Sequence, residues 1–322
     1  MIFLHPSAMN NKTIRIGTRG SKLAMWQAEQ VKKIISTAFP DLSIEIIPIS
    51  TKGDVILDVS LSKIGDKGLF TKEIENALTR GEVDLAVHSL KDLPTELPEG
   101  LIIGGMLARG EVRDVIISTG GKKLSELTDE RIATSSLRRK SQLLHIIPTL
   151  NIIDIRGNVD TRIRKMKEGY CDALVMAGAG IIRLGYEDLI TEFLDPELVL
   201  PAVSQGAVAI EIRDDDDAIA RVTNAISDED TRCITMAERS LLRTLEGGCQ
   251  VPVACYCKKE GEKLKITGIV SSLDGKSLIR KSIESPLDEA SEKAIELAQA
   301  ILKDGGQEIL DQIRSDQNKA NE

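Results

Sequence analysis

Apolar and polar positions follow one another along the chain in the order typical of a strand, a short loop and a helix. The first apolar run covers residues 14–17 and ends in a polar loop that contains glycine. Beyond this loop, Leu23, Trp26, Ile34 and Ile35 lie at helical spacing. The N-terminal segment therefore predicts a strand that leads through a tight loop into an amphipathic helix.

The same order of elements recurs over the first two thirds of the chain. Further strands are expected at 44–49, 84–88, 115–118, 131–134, 151–155 and 173–176, and helices at 72–79 and after Ser136 and Asn158. This alternation predicts an α/β fold with largely parallel sheets, arranged as two domains that face each other. Because parallel sheets bind ligands beyond the carboxyl ends of their strands, we expect the functional site in a cleft between these domains.

The last third of the chain predicts a strand that returns to the first domain and a small additional α+β domain. The returning strand is expected at 205–212, and the acidic run 214–217 is expected to begin a helix, where the helix dipole favours negative charge. Further elements are a helix at 231–245, strands at 251–258 and 263–271, a helix at 287–303 and a polar tail after Arg314. The predicted domains are 11–108 with 206–224, 112–201, and 229–322.

Charge is distributed unevenly along this acidic protein. The 322 residues carry a net charge of -8, yet residues 131–183 hold ten Lys and Arg against four acidic residues, a local net charge of +6. Local attraction for anions within an overall acidic chain favours a focused anion site over a nucleic-acid surface. Aromatic residues make up only 2% of the chain, which leaves few platforms on which bases could stack. A solvated helix face is the alternative explanation of the basic segment.

The cysteine and histidine content of the chain limits the redox compartment and the kinds of metal site that are expected. The five cysteines are an odd number, and with no apparent secretory segment they predict free thiols in a reducing, cytoplasmic compartment. No apolar run is long enough for a membrane span. The three histidines exclude a His-rich metal site, and zinc at Cys249, Cys255 and Cys257 would lack a fourth ligand. We expect neither a metal nor a membrane partner.

Two clusters with chemical potential lie in the predicted first domain. Gly17-Thr18-Arg19-Gly20-Ser21-Lys22 forms a strand-to-helix turn, where backbone N–H groups and an arginine favour an anion, although plain helix capping explains it equally well. Ser89-Leu90-Lys91-Asp92 places a carboxylate at the end of an apolar strand, followed by stiffening prolines. Such a carboxylate suits acid–base work, but most Asp residues at strand ends only cap turns.

Two further clusters lie beyond residue 130. Thr134-Ser135-Ser136-Leu137-Arg138-Arg139 and Arg156-Gly157-Asn158-Val159-Asp160-Thr161-Arg162 both place hydroxyl or amide groups and arginines at a helix start, where carboxylates or phosphates could bind. In Glu246-Gly247-Gly248-Cys249-Gln250-Val251-Pro252, two glycines would let a ligand approach a thiol. A buried free cysteine in a turn is the alternative interpretation of this last segment.

Taken together, these motifs resemble the hydroxymethylbilane synthase family, also called porphobilinogen deaminases. The resemblance covers residues 13–313 and rests on the four clusters above together with Lys67-Gly68-Leu69-Phe70, Val87-His88-Ser89-Leu90-Lys91-Asp92 and Leu200-Pro201-Ala202-Val203. Two positions depart from the family pattern: Ala133 and Ser204 stand where the family usually has glycine. Neither matches a catalytic position of the family.

The resemblance implies both the fold and the reaction. The fold would be α/β, with two periplasmic-binding-protein-like domains flanking a cleft and a small C-terminal α+β domain that presents Cys249. Four porphobilinogen molecules would be deaminated and joined head to tail on a dipyrromethane cofactor held by a thioether to Cys249, and hydrolysis would release hydroxymethylbilane. We expect a monomer that binds porphobilinogen and does not bind nucleic acid.

The resemblance also assigns roles to individual residues. Asp92 and Lys91 would be catalytic, with Asp92 stabilising the cation that forms when ammonia leaves. The cofactor-binding residues implied are Cys249, Ser89, Lys91, Asp92, Thr134, Ser136, Arg138, Arg139 and Lys67. The substrate-binding residues implied are Arg19, Ser21, Phe70 in a mobile lid, Arg156, Gly157, Asn158, Arg162, Arg183 and Gln205.

Two other functions are compatible with the same residue patterns. A non-catalytic cytosolic protein that binds an anionic small molecule could use the same two-domain cleft, but it would have no need of Cys249. RNA binding through the basic segment conflicts with the scarcity of aromatic residues and with the net acidity. Release of ammonia from porphobilinogen would separate the enzyme from both alternatives.

Overall fold

A five-stranded sheet forms the centre of one compact unit of the chain. The computed structural model describes residues 13–55, 68–245 and 251–321, and this unit contains 13–55, 68–109 and 207–232. Its strands are β1 (Thr13–Arg19), β2 (Ser43–Ile49), β3 (Leu85–Ser89), β4 (Leu101–Met106) and β10 (Val208–Arg213). The order of the strands across the sheet is β2-β1-β3-β10-β4. β1 runs parallel to β2 and β3, whereas β10 lies antiparallel between β3 and β4.

Among the described residues, the helices that accompany this sheet are α1 (Lys22–Ala38), α2 (Lys52–Val55), α3 (Lys72–Thr79) and α7 (Asp217–Ala225). Helix α1 buries Ala24, Ala28, Val31 and Ile35, whose spacing of three and four residues places them on one face of the helix. Ala28, Val31 and Ile35 pack against apolar strand residues of the sheet in a shared core. At the start of α7, Asp216 accepts a hydrogen bond from the Ile219 N–H, so the acidic run begins a helix as predicted.

The second unit contains residues 110–206, 233–245 and 251–321 of the described chain. The strands of its larger sheet are β5 (Asp114–Ser118), β6 (Arg131–Ala133), β7 (Asn151–Ile153), β8 (Ala173–Ala177) and β9 (Glu192–Phe193). Their order across the sheet is β7-β6-β8-β5-β9. This sheet has the same plan as the first, with β5 antiparallel to both of its neighbours. The helices are α4 (Leu137–Ile146), α5 (Val159–Lys167) and α6 (Gly178–Arg183).

The same unit holds a three-stranded antiparallel sheet of order β11-β12-β13. Its strands are β11 (Val253–Glu260), β12 (Lys263–Ser271) and β13 (Leu278–Pro286). The helices of this part of the chain are α8 (Glu229–Thr244), α9 (Ala290–Ile301) and α10 (Gln307–Asn321). Cys255 and Cys257 are buried in its core among leucines and isoleucines. The hairpin between β12 and β13 contacts α4, because His145 Nδ1 lies 2.8 Å from the Gly275 carbonyl oxygen.

The structure agrees with the α/β fold class and differs from the predicted elements at several places. The tail after Arg314 is helical and belongs to α10, and the sequence pattern had not indicated β4 or β13. The strand expected from Gln205 begins only at Val208. It is shortened by a turn in which Gln205 N–H bonds the Ala202 carbonyl, 2.9 Å, and both Ser204 and Gly206 have positive φ angles.

Candidate active site

One pocket of the first unit lies at the carboxyl ends of β1 and β3. Five residues singled out in the sequence line it together: Arg19, Ser21, Phe70, Ser89 and Asp92. They come from the end of β1 and the loop after it, the turn before α3, and the end of β3 and the segment after it. Because parallel strands end at the same edge of a sheet, the fold brings these separate segments to one place.

Local backbone structure holds the two loops that carry most of these side chains. Ser21 is the N-cap of α1, and its side chain accepts a hydrogen bond from the Ala24 N–H at 3.3 Å. After β3, the fully buried Leu90 donates its N–H to the Ala207 carbonyl at 3.1 Å. The single helical turn Leu90–Asp92 is therefore anchored at its start, and Asp92 lies exposed at its end beside Lys91.

Arg19 is oriented by two neighbours. Its Nε atom donates to Asp54 Oδ1 at 3.2 Å, and its guanidinium carbon lies over the Phe70 ring. Thr51 Oγ1 in turn donates to Asp54 Oδ2 at 2.8 Å. Partial burial would raise the pKa of Asp54, but the hydrogen bonds from Arg19 and Thr51 outweigh this effect and lower it. Asp54 is therefore ionised at neutral pH and fixes the arginine at the pocket wall.

Several residues that line or flank this pocket were missed in the sequence. Gln27 Nε2 donates to Ser89 Oγ at 2.8 Å, and Thr71 and His88 also line the pocket. His88 Nε2 lies 2.9 Å from Glu211 Oε2, and both side chains are buried. Gln27 had a signal, since it is a polar residue on the apolar face of α1. Glu211 had none, because its contact depends on the pairing of β10 with β3.

A second cluster in the larger sheet of the second unit surrounds the carboxyl ends of β6 and β7. Thr134 is buried and donates its N–H to the Ile153 carbonyl at 2.9 Å. Ser135 Oγ donates to the Ile155 carbonyl at 2.8 Å. Ser136 is the N-cap of α4 and accepts from the Arg139 N–H at 3.4 Å. The two predicted anion-binding turns are thus neighbours.

Arg138 and Arg139 converge on Asp114, the first residue of β5. Arg138 Nη1 donates to Asp114 Oδ2 at 2.7 Å, and Arg139 Nη2 donates to Oδ1 at 2.8 Å. Gln205 Nε2 adds a third donor to Oδ1 at 2.9 Å. Burial would raise the pKa of Asp114, but the two arginines lower it well below its usual range. Asp114 had no signal in the sequence, because it is a single carboxylate at the start of an apolar strand.

The second turn combines a glycine, a cap and two arginines. Gly157 has a φ of +117°, and a Cβ there would lie 2.5 Å from the Thr161 side chain, so this position requires glycine. Asn158 Oδ1 caps α5 by accepting from the Thr161 N–H at 2.9 Å. Arg162 Nε donates to the Gly157 carbonyl at 2.7 Å. Burial lowers the pKa of the nearby Arg156, which stays cationic at neutral pH.

Arg183, at the end of α6, donates from Nη2 to the Gly206 carbonyl at 2.6 Å. Gly206 has a φ of +89°, and a Cβ there would lie 2.8 Å from the carbonyl oxygens of Gly110 and Glu111. The positive φ and the close approach of the backbone at Gly110 and Glu111 therefore require glycine at position 206. Burial lowers the pKa of Arg183.

Two of the predicted site residues, Lys67 and Cys249, lie outside the described residues. Within the described ranges, no three His, Cys, Asp or Glu side chains come together as metal ligands. Of the helices in the described part of the chain, none is both long and apolar enough to cross a bilayer.

Comparison with known proteins identifies the family. A family profile described as "Porphobilinogen deaminase, dipyromethane cofactor binding domain" matches residues 14–221, and one described as "Porphobilinogen deaminase, C-terminal domain" matches residues 232–303. A porphobilinogen deaminase of Syntrophomonas wolfei is 49% identical over 304 residues, covering 94% of this chain and 99% of that protein. One of Chlorobium phaeobacteroides is 50% identical over 308 residues, covering 94% and 98%.

Among solved structures, the VFT2 domain of BvgS from Bordetella pertussis is similar with a TM-score of 0.41 at 14% identity, covering 70% of this chain and 93% of that chain. The profiles and the two relatives span nearly the whole chain and confirm the resemblance carried by the motifs. The chain belongs to the porphobilinogen deaminase family.

Proposed function

We propose that this transferase deaminates four porphobilinogen molecules and joins them head to tail, with its two residue clusters in different roles. The pocket of the first unit handles the reacting porphobilinogen, and the basic cluster of the second unit binds carboxylates of the cofactor and the growing chain. The observation that carries this assignment is the meeting of Arg19, Ser21, Phe70, Ser89 and Asp92 around one pocket.

The residues present suit a dipyrromethane, whose pyrrole rings each carry carboxylate groups. In the second cluster two buried arginines share one carboxylate, which leaves one positive charge without an anionic partner among the described residues. Hydroxyl groups of Thr134 and Ser136 flank them. When bound, the dipyrromethane supplies the primer to which the first porphobilinogen is joined. Arg138, Arg139, Thr134, Ser136 and Ser89 would hold it, and Cys249 would attach it, with Lys67 assisting.

Asp92 is the group that we assign to the chemical step. Breaking the bond between the aminomethyl carbon and nitrogen of porphobilinogen releases ammonia and leaves a methylene-pyrrolenine cation. A fixed carboxylate beside the pyrrole nitrogen stabilises this positive charge electrostatically. The carboxylate can also accept and return the pyrrole proton as the new carbon–carbon bond forms. Lys91, in the same turn, adds a positive charge that suits a substrate carboxylate.

The arginines supply recognition of the substrate side chains. Planar guanidinium groups bind carboxylates through two parallel hydrogen bonds, which an ammonium cannot match. Arg19 lies at the pocket of the first unit, while Arg156, Arg162 and Arg183 belong to the second cluster together with Gly157, Asn158 and Gln205. We assign these residues to the acetate and propionate groups of successive rings. Phe70, next to Arg19, would close over the reacting ring.

A direct assay tests the function. The purified protein should release one ammonia per porphobilinogen consumed and form hydroxymethylbilane. A non-catalytic binder of anions would bind porphobilinogen without releasing ammonia. An RNA-binding protein would show neither activity, and a filter-binding measurement with single-stranded RNA would detect it.

The remaining proposals concern the domain boundaries, the cellular compartment and the oligomeric state. We propose three domains, 11–108 with 206–224, 112–201 and 229–322, which is supported by the three separate sheets. We also propose a cytoplasmic monomer, supported by free thiols at Cys171, Cys233, Cys255 and Cys257. Limited proteolysis should cut near the proposed boundaries, and light scattering should give the mass of one chain.

A further inference from the structure

Asp114 is a buried carboxylate for which the proposed reaction has no chemical use. Its side chain is fully buried, and both of its oxygens accept hydrogen bonds: Oδ2 from Arg138 Nη1, and Oδ1 from Arg139 Nε, Arg139 Nη2 and Gln205 Nε2. Gln205 Nε2 also donates to the Val112 carbonyl at 2.8 Å, which ties the amide to the chain just before β5. The carboxylate is therefore a rigid hub for three side chains.

The charge of this hub is unbalanced. Two guanidinium groups, exposed by 6% and 8%, share a single carboxylate. Burial and the neighbouring Arg139 lower the pKa of Arg138, because a second positive charge is unfavourable at this buried position. Buried charges are normally paired, because the solvation that they lose has to be replaced. An unbalanced positive charge fits a site that an anion completes.

The position of the two arginines in α4 supports the same conclusion. They follow Leu137 in the first turn of the helix, where the helix dipole repels positive charge. A helix stabilised only for folding would favour acidic residues there, and this first turn contains none. The arrangement thus concentrates positive potential at a helix start, and Asp114 is what keeps the two guanidinium groups side by side.

We propose that Asp114 is a positioning residue that holds Arg138 and Arg139 in the geometry required to bind a cofactor carboxylate. It neutralises one of their two charges and fixes both side chains, while the remaining charge serves the anion. Gln205 then braces Asp114 through Nε2, in addition to the substrate contact proposed above. This inference rests on the proposed function, because it takes Arg138 and Arg139 to be cofactor ligands.

Asp84 provides a matched control in the first unit. Its side chain is 2% exposed and accepts from Arg15 Nε and Nη2, each at 3.0 Å. Asp84→Asn therefore removes the charge of another buried carboxylate that pairs with an arginine, the 36% exposed Arg15, without touching the arginines of the second cluster. A comparison of Asp114→Asn with Asp84→Asn separates loss of positioning from loss of an ion pair.

The test measures the fraction of purified chains that carry the cofactor, by intact mass, alongside the thermal midpoint of each variant. We expect Asp114→Asn to carry the cofactor in at least tenfold fewer chains than the wild type. Asp84→Asn should lose a comparable amount of thermal stability and keep the wild-type cofactor fraction. A wild-type fraction in Asp114→Asn, or an equal loss in Asp84→Asn, would overturn the proposal.

Two milder variants keep the inference testable where Asp114→Asn does not fold. Asp114→Glu retains the charge and displaces the carboxylate, and Gln205→Met removes the brace, so both should lower the cofactor fraction by several fold. Wild-type fractions in both would refute a positioning role. A wild-type protein with no mass increment and no ammonia release would instead refute the proposed function itself, which makes the two failures distinguishable.

Discussion

The guanidinium carbon of Arg19 lies 4.3 Å from the centroid of the Phe70 ring. A cation over an aromatic face gains roughly 0.5–1 kcal/mol at a partly exposed site. Asp54 bonds the same guanidinium from its edge, so the ring and the carboxylate together fix the plane of Arg19. The arginine is therefore oriented before any substrate carboxylate reaches it.

Replacing Arg19 by Lys should raise the KM for porphobilinogen about tenfold. Loss of one charge-assisted hydrogen bond costs about 1.5 kcal/mol, which corresponds to this factor. Arg80→Lys is the control, since Arg80 is 66% exposed and pairs with Glu82 within the same unit. Steady-state kinetics decide the matter: an unchanged KM in Arg19→Lys would remove Arg19 from substrate binding.

Asp92→Asn should reduce turnover by about 10² to 10³ while leaving the fold and the cofactor-bearing mass intact. An amide has nearly the same shape, but it cannot balance a developing cation. Ammonia release and intact mass measure the two effects separately. Asp41→Asn, at an exposed position of the same unit, should keep wild-type turnover. Near-normal turnover in Asp92→Asn would exclude Asp92 from the chemical step.

Local patterns predicted local elements well. Helix α3 occupies the predicted residues because its apolar positions and its boundaries are both encoded within eight residues. Helix α4 and α5 begin after Ser136 and Asn158 because these side chains cap them. The candidate loops at the ends of β1, β3, β6 and β7 were also recognised from local sequence, because their polar residues directly follow apolar strand residues.

Contacts between distant segments were not predictable from such patterns. Asp114 is 24 residues from Arg138 and 91 residues from Gln205, so these contacts form only when the unit folds. Asp54 meets Arg19 across 35 residues in the same way. The burial of Arg138 and Arg139 inside the unit was not predictable either, since the charge pattern alone does not distinguish an anion site from a solvated helix face.

The ion pairs of Asp114 should make stability depend on pH in the acid range. The folded pKa lies below the unfolded value of about 3.9, so the ionised carboxylate stabilises the fold fully above that value. This contribution is lost as pH falls from there toward the folded pKa. At pH 7, Asp114→Asn should lower the free energy of unfolding by about 3 kcal/mol.

Urea titrations of the wild type and of Asp114→Asn at pH 7, 5 and 3 measure this contribution. The difference between the two proteins should be equal at pH 7 and 5 and smaller at pH 3. A difference that stayed constant to pH 3 would show that shape, and not charge, makes Asp114 important for stability.

Ser204→Gly should stabilise the protein by about 1 kcal/mol. Ser204 has a φ of +62°, which costs a residue with a Cβ atom about 1–2 kcal/mol. Its buried Oγ atom has no hydrogen-bond partner among the described residues, and glycine removes this group as well. Greater freedom of the unfolded chain offsets part of the gain. Ser204→Ala, which removes the hydroxyl but keeps the Cβ atom, should stabilise less, and a lower thermal midpoint for Ser204→Gly would contradict the strain argument.

Cys249 should carry a covalent organic group and not a metal. A thioether needs one accessible thiol, and the two residues before Cys249 in the sequence are glycines, which carry no side chain. Zinc would need four ligands, and Cys255 and Cys257 are instead buried in the apolar core of the three-stranded sheet. The purified protein should therefore weigh more than its sequence by one dipyrromethane, react with an aldehyde reagent for pyrroles and keep its activity in EDTA. Cys249→Ser should lack the added mass, whereas Cys233→Ser should retain it, because Cys233 Sγ donates to the Leu287 carbonyl and is not free for attachment. An active protein with the bare sequence mass would refute the assignment of Cys249.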